Sequence, residues 1–106
     1  MVDVDRMRAD LLVARKTRDK TTEVALKRAL AAFENAAAPP AEDKANMFSL
    51  GPREVPRLVL THDDYVRIIE AELAEAESAA QQYEAGGRAD AATQLRAESV
   101  ILRAYL

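Results

Sequence analysis

The chain has 106 residues, 49% hydrophobic and 31% charged, with a formal net charge of −3, which fits a single globular domain able to bury its own core. It contains no cysteine, so disulfide frameworks, thiolate metal sites, iron–sulfur ligation and thiol nucleophiles are excluded together. The start, Met1-Val2-Asp3-Val4-Asp5-Arg6, lacks the basic region and apolar stretch of a secretory leader. Apolar runs such as Leu58-Val59-Leu60 fall far short of the roughly 20 residues that span a bilayer, so a cytoplasmic, non-membrane chain is expected.

From Asp3 to about Thr17 the apolar residues Val4, Met7, Leu11 and Ala14 recur in steps of three and four, the stripe of a first helix. Arg18-Asp19-Lys20 breaks it, and Asp19 is a good N-cap for a second helix that buries Leu26, Ala29, Leu30, Phe33 and Ala37. So short a connection folds the two helices back on each other as an αα-hairpin over residues 3–37.

Pro39-Pro40, Gly51-Pro52 and Pro56 then deny helical continuation, which predicts a long connection over 38–61. Its apolar residues Met47, Phe48, Leu50 and Val55 to Leu60 suggest a partly ordered strap packed on the bundle.

Thr61 with Asp64 three residues on predicts a capped start for helix three, whose stripe runs Tyr65, Ile69, Leu73, Ala76, Ala80 and Tyr83. Gly86-Gly87 stops it, one glycine supplying a left-handed cap. Helix four follows from about Ala89, with Ala92, Leu95, Ser99, Leu102 and Leu106 inward, closing a second hairpin over 62–106. The predicted fold is all-α: four helices as two antiparallel αα-hairpins joined by a proline-containing connection, in one domain spanning 1–106.

No residue grouping predicts catalysis, a metal or a cofactor. His62 is the only histidine and sits in a capping sequence, where a surface role is expected. His62, Asp63 and Asp64 diverge from a helix start, whereas a metal needs convergence. Glu70, Glu72, Glu75 and Glu77 lack the Glu-x-x-His pattern of di-iron bundles and mostly fall on the wet face. Glu72 and Glu98 lie near the buried seams and are expected to find arginine partners.

Charge is uneven along the chain. Residues 1–35 hold eight Lys/Arg against six Asp/Glu, while residues 62–106 hold four against nine. Only the first hairpin therefore offers a basic surface, carried by Arg8, Arg15, Lys16, Arg18, Lys20, Lys27 and Arg28. Arg8/Arg15 and Lys20/Lys27 are each seven apart and so aligned along their helices, a layout that can touch phosphates. Asp5, Asp10, Asp19 and Glu23 are interleaved and no exposed aromatic is expected, so an ordinary solvated helix surface is the competing reading.

The segment Arg6 to Lys20, followed by Leu26-Lys-Arg-Ala-Leu-Ala-Ala-Phe-Glu-Asn35, resembles the N-terminal hairpin of the YqeY-like family. Tyr83-Glu-Ala-Gly-Gly-Arg-Ala-Asp90, then Glu98 and Leu102-Arg-Ala-Tyr-Leu106, resembles that family's aromatic, glycine, arginine and aspartate turn and its Glu-to-Tyr-Leu finish. The resemblance implies a domain of two helical hairpins, in the family followed by a small three-helix domain that is expected to be absent here. It also implies similarity to the tail domain of the B subunit of the tRNA-dependent glutamine amidotransferase, which helps engage tRNA. The family's label, carbon–nitrogen ligase activity with glutamine as amido-N-donor, is then inherited from that multidomain relative. The chain is accordingly expected to be a non-catalytic accessory in tRNA-dependent amidation, with tRNA as partner. The alternative left open is a protein–protein interaction or self-association module.

Overall fold

The computed structural model describes residues 1–38 and 58–106. The described residues form four helices and no strand: α1 (Val4–Thr17), α2 (Lys20–Ala37), α3 (His62–Ala85) and α4 (Ala89–Arg103). Both expected hairpins are present. The strap expected over 38–61 falls mostly outside the described residues, Met47, Phe48, Leu50, Val55 and all four prolines included. Of its described part, Leu60 packs against the core whereas Leu58 and Val59 are exposed, so the expectation that the whole apolar stretch packs down fails for those two.

The caps follow the sequence closely. Asp3 accepts from Arg6 N, Asp19 accepts from Thr22 N, and Thr61 and Asp64 form a reciprocal capping box at α3. Those bonds favour the ionised carboxylates, holding Asp19 and Asp64 below their ordinary range. At the α3/α4 turn Gly87 takes φ 81°, with its N–H on the Glu84 carbonyl and Arg88 N–H on that of Tyr83 (2.7 Å). This is a Schellman closure, and it needs a residue that tolerates positive φ. The α1/α2 turn closes the same way, Asp19 N–H donating to Ala14 O (2.9 Å), but its left-handed residue is Arg18, φ 58°.

The core lies where α2 meets the other helices. Met7, Leu26, Ile69 and Leu102 are fully buried, each contributing about 1.5–3 kcal/mol by leaving water. Phe33 meets Tyr65 edge-on at 4.8 Å between ring centroids. Ala14, Ala25, Ala29, Ala76, Ala80 and Ala92 are also buried, and such small side chains let the helix axes approach closely. Ala25 and Val2 join the core beyond the residues the stripes named.

Two residues of the predicted stripes are not inside. Tyr83 is 42% exposed and Leu106 is 40% exposed. For Leu106 the reason is that α4 stops at Arg103, so the inward period ends before it. For Tyr83 the reason is length. At 1.5 Å per residue, the 24 residues of α3 run about 9 Å further than the 18 of α2, and the last turns of α3 overhang the first hairpin.

The chain ends and connections fix which turns are neighbours. Leu58 N–H donates to Ala37 O (2.8 Å), Val2 N–H to His62 Nε2 (3.3 Å) and the Met1 amino group to Leu106 O (2.9 Å). The start of α1, the end of α2, the start of α3 and the end of α4 therefore share one end of the bundle. The two turns share the other. His62 is exposed as expected, with that one bond to the Val2 backbone.

Because an L-residue in the left-handed region costs on the order of 1 kcal/mol, Arg18→Gly should stabilise the chain by roughly 0.5 kcal/mol after the added chain entropy of glycine is subtracted. Urea denaturation checks this: an unchanged or lower midpoint contradicts the strain at Arg18.

Candidate nucleic-acid interface

The seven cations expected on the first hairpin do not form one set. Arg8 and Lys27 line the same open groove between α1 and α2, about 600 Å³, with Leu11, Leu30 and Phe33 along its floor. Arg15 (4.0 Å) and Lys20 (3.6 Å) flank the Glu23 carboxylate, and Arg8 lies 3.6 Å from Asp5. Lys16 and Arg18 follow at the end of α1. Lys16, Arg18 and Lys27 make no ion pair among the described residues. Six of the seven are exposed.

Arg28 is the exception. It turns to the opposite flank of α2 and donates from Nη2 to Glu98 Oε1 at 2.7 Å. Glu98 is only 4% exposed, and its second oxygen accepts from Gln94 Nε2 (3.1 Å), which also donates to Thr21 Oγ1 (3.3 Å). Arg28 is therefore a tie between α2 and α4, not a free phosphate ligand. A buried carboxylate needs such a partner, because desolvation without one costs several kcal/mol. The sequence showed that Glu98 lies at a seam; which arginine meets it, 70 residues away in the chain, no local spacing could show.

Several other ionisable groups are also held in structural pairs. Arg96 spans Glu77 and Glu84, donating to both Glu77 oxygens at 3.2 and 3.0 Å; the two carboxylates push its guanidinium upward, and the bonds from Arg96 pull Glu77 down. Tyr105 OH donates to Asp10 Oδ2 at 2.5 Å, and burial first, then the Asp10 carboxylate, pushes the phenol up to about 12. Glu70, Glu75 and Glu77 lie on the wet side as expected, while Glu72 is half-buried. Burial first and the neighbouring Glu75 charge second raise Glu72 above the ordinary glutamate range, and Arg28, already committed to Glu98, opposes this only in part. Among the described residues no three His, Cys, Asp or Glu side chains gather to hold a metal ion. No helix among them is long and apolar enough to cross a membrane.

One residue that sequence reasoning did not place in any site is Tyr83. The structure exposes its ring and sets the Arg88 guanidinium 5.9 Å from the ring centroid, with Arg88 Nε 3.4 Å from Asp90. The motif was visible in the sequence; its exposure was not, because Tyr83 continues an apolar stripe.

A family model described as Yqey-like protein matches residues 4–106. No curated protein matches the chain, and no solved structure does.

Removing one side of the Arg28–Glu98 pair should be costly. Arg28→Ala, which leaves the Glu98 carboxylate buried and unpaired, should destabilise by about 2–4 kcal/mol and Glu98→Gln by less; equal losses in denaturant titrations of the two variants would contradict that. Glu72→Gln should act in the opposite direction. A carboxyl whose folded pKa is raised destabilises the fold where it is ionised, so the variant should melt higher at neutral pH. That gain should shrink to nothing as pH falls below the ordinary glutamate range; a gain independent of pH would show that ionisation is not its cause.

Proposed function

The chain belongs to the YqeY-like family, and on that premise we propose that it is a non-catalytic helical module, an accessory in tRNA-linked amidation that lays the solvent face of α1 and α2 against RNA phosphates. The observation that carries this reading is the set of exposed cations on the first hairpin, three of which, Lys16, Arg18 and Lys27, have no carboxylate partner among the described residues. Phosphate recognition needs such uncommitted charge, because an ion pair must break before its cation can serve. The charge difference between the two hairpins supports the same orientation, since the second hairpin would repel a polyanion.

A non-catalytic role is supported by the way the ionisable groups are used. Asp19 and Asp64 cap helices, Glu98 holds Arg28, and Glu77 with Glu84 holds Arg96, each a structural bond, and among the described residues no acid, base and nucleophile converge on one point. An alternative module, one that docks a protein or a second copy, is favoured by a different observation. A cleft of about 470 Å³ between α1 and α4 is walled by Val13 and Val100, both well exposed.

Gel-shift titration with bulk tRNA separates the two. The RNA reading expects retardation at low salt, weakened roughly 10- to 100-fold between about 50 and 200 mM salt if three or so phosphates are engaged. The double substitution Lys16→Glu with Lys27→Glu should reduce affinity at least tenfold without changing the melting temperature. Absence of retardation at low salt, or binding indifferent to that substitution, removes the RNA reading. A light-scattering mass of two chains would then favour self-association.

A further inference from the structure

We propose that the RNA held by the first hairpin is a double-stranded stem, gripped through the phosphates of both its strands without regard to base sequence. This rests on the RNA reading above and names the kind of RNA that the same surface fits.

The layout of the cations comes first. Arg8 and Arg15 on α1, like Lys20 and Lys27 on α2, are seven residues apart, about two turns and about 10 Å along the helix axis. Because the two helices are antiparallel, Arg15 comes level with Lys20, and Arg8 with Lys27. The side chains bear this out: Arg15 (4.0 Å) and Lys20 (3.6 Å) approach the same Glu23 carboxylate, and Arg8 and Lys27 line the same groove. With packed helix axes about 8–10 Å apart, the four cations mark the corners of a block roughly as wide as it is long. Asp5, beside Arg8, and Glu34, two turns beyond Lys27, bound it toward the open end of the hairpin. A single strand offers its phosphates along one line, whereas a duplex offers two backbones flanking a groove. Two rows of cations match the second.

Charge is available in that block. One Glu23 carboxylate stands between two cations, at distances longer than a hydrogen bond, and can neutralise only one of them. Arg8 and Asp5 are 3.6 Å apart and both well exposed, a pairing that water and salt weaken. Lys27 has no carboxylate partner among the described residues. Lys16 and Arg18, close to Arg15 in the chain, add two more such cations.

The side chains between the cations decide which kind of RNA fits. Sequence-tolerant binding of single strands depends on aromatic rings that stack successive bases. Phe33 is the only aromatic residue in 1–38 and is 4% exposed. Tyr65, which borders the groove from α3, is half-buried with its ring edge-on to Phe33. Leu11 and Leu30 between the cations carry no donor or acceptor for a base edge. An A-form stem needs neither stacking nor base readout, because it is recognised by its shape and its phosphates.

Fluorescence titration of the full chain with a blunt RNA duplex of about 20 base pairs and with a uridine strand of about 40 nucleotides compares the two at a similar number of phosphates. Counterion release of about 0.9 per contact on a duplex and about 0.7 on a single strand predicts a duplex preference of about tenfold at about 50 mM salt for four contacts. Permuting the base sequence of the duplex should change its affinity by less than about threefold, since phosphate contacts carry no sequence information. Glu23→Gln, which frees Arg15 and Lys20 together, should tighten duplex binding about 2- to 5-fold. A duplex preference below about threefold, a wider dependence on base sequence, or no gain from Glu23→Gln overturns the inference. If Lys16→Glu with Lys27→Glu still weakens tRNA binding in that case, only this inference falls. If the parent chain binds neither probe nor bulk tRNA, the RNA reading itself falls with it.

Discussion

The pairing of Arg28 with Glu98 is the constraint on which the rest of the structure depends. Two hairpins with greasy faces could meet at many rotations, because apolar burial is not directional. A carboxylate only 4% exposed admits very few, since any slip that parts it from its guanidinium leaves a desolvated charge. With Gln94 on the second oxygen and Thr21 beyond it, the bond fixes α4 parallel to α2 at a set height. The alanines at the seams then allow the axes to come close, and Met7, Leu26, Ile69 and Leu102 fill what remains. Polar registry and apolar packing act on the same helix, α2, which contacts all three others.

That registry also determines what the surface can offer. Holding α4 at this height brings the α3/α4 turn past the α1/α2 turn, so the longer second hairpin overhangs the shorter first one. The exposed ring of Tyr83 is a consequence of that mismatch. Had α2 been a turn or two longer, the same residue would have been core. By committing Arg28 to Glu98, the fold likewise sorts the hairpin's cations into a structural one and a solvent-facing group. A chemically uniform run of arginines and lysines thus acquires two different roles from packing alone.

Much of the architecture was legible in the chain because its signals are local. Stripes at three and four residues, Asp19 and Thr61 as caps, the Asp64 return bond and Gly86-Gly87 as a stop each depend on neighbours within one helical turn, and the structure has them all. What was not legible depends on partners far apart. An apolar stripe says which face would be buried but not how far the covering helix extends, which is why Tyr83 was placed inside. Spacing along α2 gave Lys27 and Arg28 the same standing, although one residue of helical rotation, about 100°, sends them to opposite flanks. The left-handed Arg18 was also hidden, since the sequence marks a break there without the glycine that usually signals such a turn.

The contrast between the two turns bears on stability. Both close with the same pair of backbone bonds, yet one uses Gly87 and the other Arg18 at the left-handed position. A glycine would satisfy the backbone at either place with less strain, and at Arg18 the chain instead carries a long cationic side chain where the backbone disfavours any side chain at all. Strain of this kind persists where the surrounding structure over-determines it, as the two backbone bonds that close this turn do. Arg18 has no ion-pair partner among the described residues. Local rules are broken at the turn where an uncommitted charge is placed, and they are kept at the turn where Arg88 is already held by Tyr83 and Asp90.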